Sequence, residues 1–488
     1  MRMPIWLDKR AFLTPDRIAV EAGAVQLTFA QLQQEAKHKA MGLIELGVQQ
    51  GNTVAVLSES SVSLIEVVHS IPYTGAMLML LNTRLTAHEI LYQLQDSGSR
   101  LLLYSEGFTE LAMELKRSNE QLRIVTITEL ENHAAVADPQ LLHDVEDHST
   151  YTIMYTSGTT GHPKGVLQSY HNHWSSAIGS MLNLGLSDKD KWLVTLPLFH
   201  ISGLSILLRS VIYGIPLVLH DRFVPKQANE VIMNEGVTIM SVVSNMLTRM
   251  LEDLGEQRYP SAFRCMLLGG GPAPLPLLQA CVERDIPVMQ TYGMTETCSQ
   301  FATLAPQYML SKLGSAGKPL FQSELRIVDS NGDQLPAGEA GEIIVRGPNV
   351  SSGYYNREND SFTEGWLYTG DIGYVDEEGF LYVLDRRKDL IISGGENVYP
   401  AEIEAVLLSH PHVIEAGVTA IVDEKWGQRP IAFVVISSEG AFHEEQLLYY
   451  CSEQLARYKL PAAIYSVKEL PRNAAGKLLR RELHRLLP

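Results

Sequence analysis

Short apolar runs rich in β-branched residues alternate with longer helix-like stretches through the first three hundred residues. That alternation predicts a layered α/β domain in which helices flank mostly parallel sheets. Three of the runs stop abruptly at loops of small or polar residues: 151–155 before Thr156, 265–268 before Gly269-Gly270-Gly271, and 288–290 before Thr291-Tyr292-Gly293. Ligands of open α/β sheets collect at the carboxyl ends of strands, so these loops are expected to converge on one site. The most apolar long stretch, 201–219, carries Arg209 at its middle and is broken by Gly214-Ile215-Pro216. It reads as a buried helix running into a strand rather than as a membrane span.

From about residue 324 the texture changes to hairpin signals. Asn331-Gly332 and Glu377-Glu378-Gly379 each lie between strand-like runs, which predicts a smaller β subdomain. After the charged run Asp385-Arg386-Arg387-Lys388-Asp389, Pro400 signals a helix with Ile403, Val406 and Leu407 on one face. Strands at 414–422 and 431–436 and a helix near 444–456 then complete a compact α+β unit. The expected division is a large domain over 1–385 and a small one over 386–488.

Length agrees with that division, because 488 residues exceed what one ordinary core organises. The formal charge of -17 argues against a nucleic-acid surface, so an anionic substrate must meet a locally positive site. Four cysteines, at 265, 281, 298 and 451, form no CxxC pair, which points to neither a disulfide framework nor a metal cluster. The amino-terminal residues lack the apolar core of an export signal, so a cytoplasmic protein without membrane insertion is expected. Oligomeric state is left open, a homo-oligomer included.

The run Thr156-Ser157-Gly158-Thr159-Thr160-Gly161-His162-Pro163-Lys164-Gly165 puts hydroxyls, glycines and one lysine directly after a strand. Those are the donors and the cation that a polyphosphate needs. The spacing is shorter than that of a Walker A loop, and no Ser or Thr follows the lysine. Taken alone, the run also reads as a solvated connector. His171-Asn172-His173 invites a metal reading, which is set aside because the sequence offers no further clustered ligands.

The Thr156 run resembles the phosphate-binding signature of the adenylate-forming enzymes, which include acyl-CoA synthetases, luciferases and peptide-synthetase adenylation domains. Other segments match in the family's order: Tyr292-Gly293-Met294-Thr295-Glu296-Thr297, Tyr368-Thr369-Gly370-Asp371, Asp385-Arg386-Arg387-Lys388-Asp389 and Pro471-Arg472-Asn473-Ala474-Ala475-Gly476-Lys477. The resemblance spans nearly the whole chain. It implies an α/β fold with a large N-terminal domain of layered sheets plus a β subdomain, followed by a small mobile α+β domain. It also implies ATP and Mg2+, coenzyme A as co-substrate, and a small-molecule carboxylic acid as the group activated.

The same resemblance implies the roles. Thr156, Ser157, Gly158, Thr159, Thr160 and Lys164 would hold phosphates, and Tyr292 would stack on adenine beside Gly270, Gly271, Pro272 and Gly293. Asp371 and Arg386 would take the ribose, Glu296 the magnesium, and Thr295 a phosphate or acyl-adenylate oxygen. Lys477 would stabilise the charge concentrated where two anions meet. His200, Ser202, Gly269, Thr291, Met294 and Ser299 would line the acid pocket. Lys388 would be the hinge about which the small domain rotates, exchanging Lys477 for the thiolation loop Ser393-Gly394-Gly395, whose glycines suit a narrow pantetheine tunnel.

Within the family, the segments 197–205, 267–276, 290–300 and 313–321 resemble bacterial ligases for an aromatic diacid, activated on a succinyl arm with a second carboxylate left on the ring. Another aryl- or fatty-acyl-CoA ligase, a stand-alone adenylation enzyme loading a carrier protein, and a catalytically silent nucleotide-binding protein are the competing readings.

Overall fold

The structure, a computed structural model, describes residues 1–132, 140–156, 163–270, 273, 275–357, 361–385, 390–437, 442–471 and 478–488. The chain forms two compact units. The first comprises Met1–Thr83, Ser97–Met154 and Val166–Leu384; the second comprises Arg84–Asp96, Tyr155–Gly165 and Asp385–Pro488. No described helix is long and apolar enough to cross a membrane.

Parallel strands Thr53–Leu57, Met77–Leu80, Leu101–Tyr104 and Arg123–Thr126 build most of a six-stranded sheet. Thr53–Leu57 is buried throughout, as a strand covered by helices on both faces should be. The helix Phe29–Glu45 starts at a capping box between Thr28 and Gln31, and its buried Phe29, Leu32, Ala36, Ala40 and Leu43 recur at helical spacing. One large core joins these residues to Val54 and Val56 of the six-stranded sheet and to Trp192, Val194 and Ile239 of a second sheet.

That second sheet has fourteen strands. Its parallel part includes Trp192–Val194, Ile239–Val243, Cys265–Gly269 and Val288–Met294. At Ser299–Leu304 the direction reverses, and the sheet continues antiparallel through Ser315–Pro319 into the strands of the 324–385 region. The β-rich stretch is therefore the antiparallel half of one long sheet. It keeps a core of its own, with Phe301, Ile327, Ile343, Val345, Leu367 and Leu381. The 201–219 stretch forms the helix Ile201–Tyr213, ended by Gly214 in the left-handed conformation, and then the strand Leu217–Leu219.

In the second unit, strands Val413–Asp423 and Gly427–Ile436 pair antiparallel, and helix Pro400–Leu408 starts with its proline in the first turn. The helix expected near 444–456 spans Glu444–Ser452 and gives way to a tight 3-10 turn at Arg457–Lys459. That turn places Lys459 between Glu89 and Glu402, each 2.6 Å from its ammonium.

Candidate active site

The strand Val288–Met294 runs into a single 3-10 turn, Thr295–Thr297, and returns as Ser299–Leu304. This hairpin carries Thr291, Tyr292, Gly293, Met294, Thr295, Glu296 and Ser299. Its tip is strained: Cys298 and Ser299 both have positive φ, 51° and 96°, which costs a residue with a Cβ on the order of 1 kcal/mol or more. The surroundings hold that shape. Buried Thr297 accepts from the Met294 amide at 3.0 Å and donates to the Ser299 carbonyl at 2.8 Å. The Cys298 carbonyl accepts from Ser176 Oγ at 2.6 Å, and Gln168 donates to the Thr295 carbonyl at 2.7 Å. Gly293 lies so close to the returning strand that a Cβ there would collide with the Ser299 carbonyl.

Glu296 is buried at 7% exposure, with its Oε1 2.9 Å from the Tyr354 hydroxyl and its carbonyl accepting from the Ser351 amide at 2.7 Å. Tyr354 is itself buried and meets Phe362 edge-on. A carboxylate fixed in this way offers oxygen to a hard cation such as Mg2+.

Asp371, 6% exposed, lies in the strand Trp366–Val375 directly after Gly370, whose φ of 73° suits glycine. Its amide donates to Thr369 Oγ1 at 3.0 Å, while its Oδ2 accepts from the Tyr292 hydroxyl at 2.7 Å. The proposed adenine and ribose residues are thus one buried hydrogen-bonded pair.

The expected acid-pocket residues fall into contacting sets. Gly269 faces the Thr291 methyl, where a Cβ would come within 3.2 Å, and Thr291 Oγ1 donates to the Ala302 carbonyl at 2.8 Å. His200 stands at the N-cap position of the helix Ile201–Tyr213, half-buried and without a side-chain capping bond, its ring 4.7 Å from that of Phe199. Gly203 is required in the same turn, because a Cβ would strike the Pro197 carbonyl. One turn beyond Ser202, Ser205 reaches Ser299 at 3.4 Å, which joins the start of this helix to the hairpin tip.

The chain matches the AMP-binding enzyme family over residues 7–355 and the AMP-binding enzyme C-terminal domain over 402–477. It belongs to that family. It is 57% identical to the 2-succinylbenzoate–CoA ligase of Geobacillus kaustophilus over 100% of this chain and 98% of the relative. Among solved structures it is similar to the o-succinylbenzoate CoA synthetase of Bacillus subtilis as a double mutant bound with the product analogue OSB-NCoA, with a TM-score of 0.94, 48% identity and 99% and 98% of the two chains covered. The same enzyme in complex with ATP and magnesium ion matches with a TM-score of 0.77 at 48% identity, covering 99% of this chain and 100% of the other.

Several family-motif residues, Ser157, Gly158, Thr159, Thr160, Gly271, Pro272, Arg386, Lys388 and Lys477, lie outside the described residues. Thr156 ends the strand Thr150–Thr156, Lys164 opens the strand Lys164–Ser169, and Gly270, at φ 84°, follows the strand Cys265–Gly269. In the second unit, Ser393 pairs with Glu396 across a two-residue turn in which Gly394 and Gly395 have φ of 59° and 86°. Glycine is needed here for turn geometry, in addition to any tunnel that the loop lines. Gly394 also packs on Trp426, whose ring a Cβ would meet at 2.5 Å.

The residues that sequence reasoning passed over are the supports. Tyr354, Gln168 and Ser176 are far from the hairpin in sequence and carry no local signal. His173 is 3% exposed, with Nε2 2.9 Å from Thr152 Oγ1, and burial, aided by the Arg209 charge, lowers its pKa to about 3. It is a neutral core residue.

Proposed function

We propose that this protein is a 2-succinylbenzoate–CoA ligase, which joins 2-succinylbenzoate to CoA at the expense of ATP in menaquinone biosynthesis and releases AMP and pyrophosphate. The observation that carries this reading is the full-length match, at 57% identity, to a ligase of that name. Support comes from the hairpin 288–304, where a buried oxygen ligand, a buried Tyr292–Asp371 pair and a serine-rich pocket edge are held by one strained turn.

In the reaction, the substrate carboxylate attacks the α-phosphate of ATP, displaces pyrophosphate and forms an acyl-adenylate; the CoA thiol then attacks that anhydride and expels AMP. No base is needed for the first step, because a carboxylate is ionised at neutral pH. Glu296 would hold Mg2+, which neutralises phosphate charge when bound. Asp371 would accept hydrogen bonds from ribose hydroxyls, and the Tyr292 ring would flank adenine. His200, Ser202, Gly269, Thr291, Met294 and Ser299 would surround the acid, and Ser205, 3.4 Å from Ser299, would join them. Thr295 and Lys164 would contact phosphate oxygens. We assign nucleotide and acid binding to 1–385, and assign the hinge at Lys388, the thiolation loop and the catalytic Lys477 to 386–488. A cytoplasmic location fits four cysteines that are all unpaired and buried.

The test is incubation with ATP, Mg2+, CoA and each of 2-succinylbenzoate, benzoate, 4-coumarate and octanoate, with the thioester identified by mass. Turnover of the diacid is expected. Turnover of a monoacid alone would overturn the substrate assignment.

A further inference from the structure

We propose that Asp147, His148 and His171 form a surface site for a borderline divalent transition-metal ion such as Zn2+. Asp147 and His148 lie in the turn between the strands Asp144–Glu146 and Thr150–Thr156, and His171 lies in the first turn of the helix Tyr170–Leu184. The two segments are more than twenty residues apart in sequence, yet their backbones are locked together. The His171 amide donates to the Asp147 carbonyl at 2.6 Å, and the Tyr170 amide donates to the Ser149 carbonyl at 3.2 Å. The helix start is fixed in turn by reciprocal capping between Ser169 and Asn172, and the Asn172 amide group reaches the Pro348 and Val350 carbonyls at 3.0 and 2.9 Å.

On this platform the ligand atoms converge. Asp147 Oδ2 is 3.7 Å from His148 Nε2 and 3.9 Å from His171 Nδ1, and one ligand atom from each of the three lies within 4.8 Å of the others. Around a tetrahedral ion at ~2.0–2.1 Å, ligand atoms stand about 3.3 Å apart, so the observed spacing needs only small side-chain adjustment. Asp147 is held by its other oxygen, which accepts from the Met1 amine at 2.8 Å and the His148 amide at 3.1 Å, leaving Oδ2 turned toward both imidazoles. This orients the ligand from behind, as partners of metal-bound carboxylates do. Two imidazoles and one carboxylate suit Zn2+, Cu2+ or Ni2+ rather than Mg2+, whose oxygen preference Glu296 meets. His148 is exposed, so the ion has an entry path and room for solvent as its remaining ligand. A bound ion would tie the amino-terminal strand pair Arg2–Pro4 and Asp144–Glu146 to the helix Tyr170–Leu184, whose Ser176 bonds the Cys298 carbonyl.

The experiment uses full-length protein without a histidine tag, stripped with chelator and kept in excess Mg2+. Zn2+ binding is followed by calorimetry, Co2+ by visible ligand-field absorption, and thermal unfolding is recorded with each ion. One equivalent is expected to bind and to raise the unfolding midpoint. His148→Ala and His171→Ala should each weaken binding by at least about tenfold, roughly 1.4 kcal/mol, and abolish the thermal shift. His410→Ala/His412→Ala, at a second close imidazole pair among the described residues, with ring centroids 5.7 Å apart, should leave binding unchanged. Unchanged binding in both His148→Ala and His171→Ala, loss in the His410/His412 variant, or no binding to the wild type would each overturn the proposal. Because His148 is exposed, a folding defect cannot account for its effect, and circular dichroism checks this for His171→Ala.

Discussion

The Tyr292 hydroxyl donates to Asp371 Oδ2 at 2.7 Å across 79 residues, with both side chains less than a tenth exposed. A buried carboxylate that loses a hydroxyl donor forfeits about 1–3 kcal/mol. Tyr292→Phe, which keeps the ring, should therefore lower stability by that order and raise KM for ATP while leaving KM for the acid close to the wild-type value. Urea unfolding and initial rates at varied ATP measure both. An unchanged KM for ATP would show that the pair is structural only.

Much of this site was legible in the sequence for a simple reason: its strands are apolar runs cut off by glycine and threonine. The end at Gly269 could be placed because period and punctuation are local, whereas the strand expected to stop before Thr291 runs on to Met294, held there by antiparallel pairing with Ser299–Leu304. The expected helix after Pro400 could be placed for the same reason, since proline presets the first turn. Tyr354 beside Glu296 could not be placed, because nothing in the surrounding residues specifies a contact across 58 positions. Nor could the continuity of the antiparallel strands with the parallel sheet, which depends on the register of Ser299–Leu304 and Ser315–Pro319. His171 and His173 show the limit most sharply. Two residues apart at the start of one helix, they project differently, one half-exposed beside Asp147 and the other buried beside Thr152.

His173 and His69 set an acid limit on stability. Burial lowers their pKa values to about 3 and about 4, against about 6.5 in the unfolded chain. Between these values the unfolded state binds the proton and the folded state does not, so stability is full above pH 6.5 and falls as pH drops toward 4. The slope should approach 1.4 kcal/mol per pH unit for each histidine, by order of magnitude. His173→Gln should flatten the decline of the urea midpoint between pH 6.5 and 4, and an unaltered slope would remove His173 from the account.

Lys459 is 3% exposed and bonded to Glu89 and Glu402. Burial opposes its charge, but the two carboxylates prevail and raise its pKa above the usual lysine value. Its contribution is therefore present below pH 10.5 and lost as pH rises beyond that. Lys459→Met strands two buried acids without their cation, a loss of roughly 3–5 kcal/mol. Double replacement with Glu402→Gln should recover part of it. Chemical denaturation of the three variants gives the coupling, and strict additivity would show that the ions act independently.

The contact between Ser205 and Ser299 is the proposed edge of the acid pocket and offers a test of which acid is chosen. The proposed substrate has two carboxylates, and only one is consumed. A site built to bond the second should reject an acid that lacks it, because its polar groups are then left unpaired. We propose Ser299 as the hydroxyl that bonds that second carboxylate. It sits at positive φ in the strained tip, 3.4 Å from Ser205 Oγ, and the turn that holds it also carries Glu296. Ser299→Ala would remove the hydroxyl and keep the backbone. It should raise KM for 2-succinylbenzoate about tenfold, roughly 1.4 kcal/mol, with KM for ATP little changed. The same variant should narrow the preference for the diacid over benzoate. If the kcat/KM ratio of diacid to monoacid stays at the wild-type value, Ser299 does not read the second carboxylate. The assignment would then move along the helix Ile201–Tyr213 to Ser205, whose hydroxyl lies 3.4 Å from that of Ser299.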